Sequence, residues 1–198
     1  MVSKTTLNVW SKLSYRDPEK DLIRLRQLEL SLPESGISKD LRELRVHELK
    51  QTLEWRQAAL FSYGMSLVQG SKIYYSMTEK SDYDLVTMRQ LNDCVNYCPV
   101  QLKELVPKFR NPNQDMRSLL DGLKKYTDSS DLVVAVHMNR EFFFNPKNYD
   151  FSGYNFAGIW VFGGASDNQI DFNIFGDLQT GDMGMNFRYP GYDTFEYC

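Results

Sequence analysis

The sequence predicts an α/β fold, a mixed β-sheet flanked by helices with a helical extension in front of it. Three observations predict it. Leucines recur at helical spacing through the first third of the chain. Two strand-like segments, 81–90 and 95–105, are joined by Asn92-Asp93, residue types that tolerate the positive φ of a tight hairpin. An amphipathic segment over 115–126 then leads into the apolar run Leu132-Val133-Val134-Ala135-Val136, the pattern of a crossover helix feeding a buried parallel strand.

Each element has its own signals. Pro18 at a first turn opens a helix over 19–32, with Leu22, Leu25, Leu28 and Leu32 in phase until Pro33 and Gly36 stop it. Ser38 suits the N-cap of a longer helix reaching about Gln69, with Leu41, Leu44, Leu49, Leu53, Leu60 and Leu67 near one side and Gly70 at its end. Ser71 to Met77, containing Ile73-Tyr74-Tyr75, reads as a strand, and the hairpin follows it. After the loop Asn111-Pro112-Asn113, the crossover helix carries Met116, Leu119, Leu120 and Leu123. Segments 156–162 and 170–175, around Gly163-Gly164 and Asp167-Asn168, make a further strand pair. The expected organisation is an N-terminal helical extension over 1–36, a main domain over 37–178 and an aromatic, acidic tail over 179–198.

Composition bounds what surrounds these elements. A chain of 198 residues, 42% hydrophobic and 14% aromatic, can bury one good-sized core. It has no run of eighteen apolar residues, and residues 1–13 lack the apolar stretch of a signal peptide, so the expectation is a soluble, cytoplasmic protein without membrane contact. Cys94 and Cys98, four apart on one strand, stand roughly 13 Å from each other, too far for a disulfide or a shared zinc. With Cys198 alone at the end, the thiols read as buried or incidental. The net charge of −3 is uneven: from Asp150 onward seven acidic residues face one basic residue, Arg188, which leaves residues 1–149 weakly basic. Such a body can track phosphates with modest affinity and strong salt sensitivity, and an ordinary solvated surface explains the same charge.

The hairpin brings together the groups with most chemical content. With Asn92-Asp93 as the turn, Asp84 stands opposite Gln101, with Cβ atoms roughly 4.5–5.5 Å apart, close enough to share an ion. Lys103 lies on the same face as Gln101, while Cys98, Val100 and Leu102 point to the other, apolar face. The competing structural reading is a cross-strand ion pair between Asp84 and Lys103. Glu104 joins the set only if a bulge rotates it inward. Of the two histidines, His47 and His137, the latter follows an apolar strand and reads as structural. Asn139 and Arg140 beyond it suit either a phosphate contact or an ordinary strand exit. The aromatic cluster Phe142-Phe143-Phe144, Tyr149, Phe151, Tyr154 and Phe156 suits base stacking, a core or a protein interface. No phosphate loop or hydrolytic triad is present.

The order helix, strand, strand with Asp84, strand with Gln101-Leu102-Lys103, helix, strand resembles the core of the PD-(D/E)XK nuclease superfamily, over about residues 40–140. The resemblance implies a restriction-endonuclease-like fold and a Mg²⁺ (or Mn²⁺) site. In it Asp84 matches the metal-binding Asp, Gln101 the acidic position and Lys103 the lysine that positions or activates water. Glu54 is the candidate for the helical Glu that often completes such sites, with Glu48 as the fallback. The chain departs from the pattern in lacking a Pro before the Asp, in Ser81-Asp82-Tyr83, and in having Gln101 in place of the acid. A similar Gln-x-Lys variant occurs in nucleases resembling the type IV restriction enzymes. An amide oxygen still ligates Mg²⁺, but with less charge, leaving substrate phosphate to fill the shell. The implied function is Mg²⁺-dependent phosphodiester hydrolysis of DNA by an endonuclease, in restriction, defence or repair. The alternative is an inactive member of the fold acting as an interaction module, and a homodimer or protein partner would use the helical extension or the aromatic tail.

Overall fold

The structure, a computed structural model, describes residues 2–31, 38, 49–78, 83–126, 129–140, 149–150 and 153–163, and the strand segments 171–172, 174–177, 182–183 and 187–188. It is an α/β structure. The helices are α1 (Lys4–Trp10), α2 (Pro18–Ser31), α3 (Lys50–Val68) and α4 (Met116–Asp121). The principal strands are β1 (Ile73–Met77), β2 (Leu85–Leu91), β3 (Cys94–Leu105), β4 (Ser129–Met138) and β5 (Phe156–Gly163). Short strands β6 (Asp171–Phe172), β7 (Ile174–Asp177), β8 (Asp182–Met183) and β9 (Phe187–Arg188) follow.

The main sheet has the order β1-β2-β3-β4-β5-β7-β8, and β6 pairs with β9 apart from it. Strands β1, β2 and β3 form an antiparallel meander; β3, β4 and β5 run parallel; β7 returns antiparallel on β5. The β2–β3 register is the one that an Asn92-Asp93 turn dictates, with Leu91 opposite Cys94 and Leu85 opposite Val100. Asn92 takes φ 50°, the left-handed region such a turn needs. The crossover from β3 through α4 to β4 also has the expected sense. Asp115 caps α4, accepting from the Ser118 amide at 2.7 Å while the Ser118 hydroxyl accepts from the Asp115 amide at 3.1 Å.

Two apolar layers cover the two faces of the sheet. On one, Ala58, Ala59 and Phe61 of α3 pack with Tyr75, Leu85, Val100, Leu102 and Ala135. On the other, Met116, Leu119 and Leu120 of α4 pack with Leu105, Val134, Val136, Ile159 and Val161. Strand alternation therefore puts Gln101 and Lys103 on the α4 side. Helix α3 contacts both α2 and the sheet, which explains why six successive residues, Gln57 to Ser62, are all buried. It ends in a Schellman motif: Gly70, at φ +59°, donates to Leu67 O, and the Ser71 amide donates to Ser66 O at 3.1 Å. Leu41, Leu44 and Glu48 fall on 39–48, outside the described residues. The helical periodicity puts Leu28 on the inner side of α2, yet it is 51% exposed, because burial there is set by Leu22 and Asp21 near the helix start.

Residues 10–21 wrap the edge of the sheet. Arg16 exchanges backbone hydrogen bonds with Tyr75 at 2.7 and 3.1 Å, closing the exposed edge of β1 at that point. Its guanidinium grips Asp21 with two bonds, 2.6 and 2.9 Å, and the Tyr75 hydroxyl donates to the same carboxylate at 2.7 Å. Burial pushes the Asp21 carboxyl up, but Arg16 and Tyr75 outweigh it and hold it below the usual carboxylate range. Before this clamp, buried Trp10 donates to the Tyr83 hydroxyl at 2.9 Å with the rings edge-to-face, and Tyr15 packs on Tyr97. The segment expected as an N-terminal extension thus packs on its own sheet. No helix among the described residues is long and apolar enough to cross a membrane.

Candidate functional site

Asp84 sits one residue before β2 and is fixed from both sides by backbone. Its amide donates to Val100 O at 2.9 Å, and its carbonyl accepts from the Thr78 amide at 2.9 Å. The side chain therefore projects across the sheet toward β3 rather than along its own strand. Oδ2 accepts from the Leu102 amide at 2.7 Å and from Gln101 Nε2 in a short contact. Oδ1 accepts no hydrogen bond among the described residues.

Gln101 is 8% exposed. Its Nε2 also reaches Leu102 O at 3.3 Å, so the amide nitrogen is held and Oε1 is left without a partner among the described residues. Two oxygens, Asp84 Oδ1 and Gln101 Oε1, thus remain over from the internal bonding of this pair. An oxygen-only donor set of one carboxylate and one amide fits a hard divalent cation such as Mg²⁺, which keeps several waters and fills its shell from substrate phosphate.

Lys103 stands on the same face, one strand repeat beyond Gln101. It makes no ion pair with Asp84. Its ammonium lies 5.7 Å from the centroid of the Tyr126 ring instead, and it meets no carboxylate among the described residues. The cross-strand ion pair, the ordinary structural use of such residues, is not formed.

Glu54 does not join this group. Its polar partner is Lys50, 3.7 Å away one turn earlier on α3, and α3 covers the face that carries Val100 and Leu102. Glu104 stays turned away: β3 pairs with β4 without interruption from Val100 to Leu105, and Glu104 Oε1 accepts from Asn139 Nδ2 at 2.8 Å. Among the described residues no three His, Cys, Asp or Glu side chains gather in a way that would hold a metal.

The remaining candidates have structural partners. Arg140 is 9% exposed, and its guanidinium donates to three backbone carbonyls of the β3–α4 connection: Val106 at 2.5 Å, Gln114 at 2.7 Å and Asn111 at 2.9 Å. It is the clamp of that connection. His137 stacks on Phe162 at 5.1 Å, with Nδ1 3.4 Å from Gln57 Nε2. Gly163 permits this, since a Cβ there would meet the imidazole at 2.8 Å. Tyr149, Tyr154 and Phe156 pack into the α4-side core, while Phe142 to Phe144 and Phe151 fall outside the described residues. Cys94 and Cys98 are free, and burial pushes the Cys98 thiol up to about 11. Sequence reasoning missed Tyr126 as the neighbour of Lys103, and Trp10 as the group that fixes Tyr83 beside Asp84; neither contact leaves a trace in local periodicity.

Comparison with protein-family models, with curated proteins and with solved structures finds no match for this chain.

Proposed function

We propose that the protein is a Mg²⁺- or Mn²⁺-dependent endonuclease of the PD-(D/E)XK type that hydrolyses phosphodiester bonds in DNA. The observation that carries the reading is the contact of Asp84 with Gln101, which leaves two oxygens without a hydrogen bond among the described residues, together with a neighbouring Lys103 that meets no carboxylate among them. It is supported by the order of elements: α3, β1, Asp84 before β2, Gln101-Leu102-Lys103 on β3, then α4 and parallel β4.

In this reading a divalent cation would be held by Asp84 and Gln101, whose Oδ1 and Oε1 accept no hydrogen bond among the described residues, and would supply charge neutralisation at the scissile phosphate and a more acidic water. Lys103, on the same face, orients the attacking water or takes up negative charge that develops on the phosphoryl oxygens. A water oxygen bonds to phosphorus as one P–O ester bond breaks, the water proton leaves to solvent, and the departing oxygen regains one. The buried carboxamide contributes no charge, so affinity for the cation is modest and rises when phosphate is present.

A second reading has its own observation. The Asp84 carboxylate already satisfies the Leu102 amide, so it has structural work in a non-catalytic interaction module of the same fold. Plasmid and single-stranded DNA incubated with Mg²⁺ or Mn²⁺ separate the two. Cleavage abolished by Asp84→Ala and by Lys103→Ala supports the nuclease, whereas cleavage indifferent to both substitutions, or none by the native chain, supports the module.

A further inference from the structure

We propose that Lys125 and Tyr126, together with Lys103, form a phosphate-binding step that holds the nucleic-acid strand beside the phosphate at Asp84. The inference rests on the nuclease reading for the identity of the strand. Its own basis is that one aromatic ring carries two cations: Lys103 Nζ lies 5.7 Å and Lys125 Nζ 5.1 Å from the Tyr126 centroid. Neither ammonium meets a carboxylate among the described residues. Three other lysines do, Lys124 with Asp121 at 2.7 Å, Lys72 with Asp17 at 2.6 Å and Lys50 with Glu54 at 3.7 Å, whereas Lys4, Lys12, Lys20 and Lys108 form no ion pair among the described residues. Two ammoniums beside one ring add positive potential at the same place, which favours an anion there.

The platform is anchored on the core. Tyr126 is half-buried and rests on Phe156 at 6.4 Å, a buried member of the α4-side core. Lys103 follows Gln101 by two residues on the same face of β3, so an anion held by its ammonium lies on the face that carries the Asp84–Gln101 pair. The surrounding charge has the matching sign. From Gln101 to Tyr126 the chain carries Lys103, Lys108, Arg110, Arg117, Lys124 and Lys125 against Glu104, Asp115 and Asp121, the reverse of its net −3 balance. A ligand with phosphates in series engages both Tyr126 and Asp84; a lone phosphate engages one. The ligand class is therefore a nucleic-acid backbone.

The test is fluorescence anisotropy of labelled oligonucleotides with the full chain in EDTA, across a range of salt, using duplex DNA, single-stranded DNA and RNA of equal length. Lys125→Gln is expected to weaken binding and to reduce the salt slope of log K by about 0.9 on duplex DNA or about 0.7 on a single strand, one ion pair's share. Lys125→Arg should restore the slope, and Lys4→Gln, on exposed α1, should leave it unchanged. The arm that binds tightest identifies the source of the backbone. A slope unaltered by Lys125→Gln, or no binding by the native chain in any arm, overturns the inference. Because no metal is present, the result is independent of cleavage: an altered slope without Mg²⁺-dependent cutting sinks the catalytic reading alone.

Discussion

The Asp84 carboxylate stands 2.7 Å from the Leu102 amide, in the place where the carbonyl of a continuing β2 strand would accept that bond. One oxygen thus finishes the ladder of β3 while the other accepts no hydrogen bond among the described residues. The same side chain therefore carries a stability term and a functional term, and substitutions can separate them. Asp84→Ala leaves the Leu102 amide unpaired, at a cost of about 1–3 kcal/mol where buried, and leaves Gln101 Nε2 with its bond to Leu102 O alone. Asp84→Asn keeps an oxygen for the Leu102 amide and should cost less than half as much in urea unfolding, while abolishing cleavage as completely as Asp84→Ala.

Gln101→Glu restores the acid of the nuclease pattern and puts two carboxylates in contact. Like charges at that distance favour protonation of one of them, or unfolding, unless a cation lies between. Without metal the variant should melt below the native protein, and saturating Mg²⁺ should raise its melting temperature by more than it raises the native one. Equal shifts for both proteins would argue against a cation at this pair.

Arg140 should matter for stability and not for chemistry. Its three carbonyl bonds tie Val106, Asn111 and Gln114 to the end of β4, and each hydrogen bond to a charged group is worth about 1.5–3 kcal/mol before non-additivity. Arg140→Met should destabilise the fold by about 3 kcal/mol or more in urea. Its effect on oligonucleotide affinity measured below the unfolding transition should be nil.

Asp21 makes a prediction in pH. Its carboxyl is held low in the folded chain by Arg16 and Tyr75, against burial, so its contribution is complete above the unfolded carboxylate value of about 4 and is lost as pH falls through the folded value. The urea midpoint of the native protein should drop on acidification below about pH 4. Asp21→Asn should start lower at neutral pH and show a shallower acid slope. An unchanged slope would place the acid sensitivity elsewhere.

Much of this arrangement is legible in the residues because it is local. Asn92-Asp93 sets the hairpin turn, the turn sets the register, and the register sets Asp84 against Gln101. Pro18 and Gly70 mark helix ends for equally local reasons, a preset φ and a left-handed cap. What escapes is decided by contacts far apart in sequence. Trp10 and Tyr83 are 73 residues apart, Arg140 reaches back 34 residues to Val106, and Lys103 turns to Tyr126 instead of Asp84 because the α4 layer places a ring there. Glu54 shows the same limit: helical phase puts it on α3, but only the packing of α3 on the Val100–Leu102 face separates it from the carboxylate it was expected to join.

The central claim is that Asp84 and Gln101 share a divalent cation beside Lys103, and anomalous diffraction from crystals grown with Mn²⁺ and a short oligonucleotide tests it most directly. The account predicts a peak between Asp84 Oδ1 and Gln101 Oε1, at about 2.1 Å from each for an octahedral ion, with a phosphate oxygen completing the shell. A pair that stays closed on itself with no peak beside it, in crystals where the oligonucleotide is bound, would contradict it.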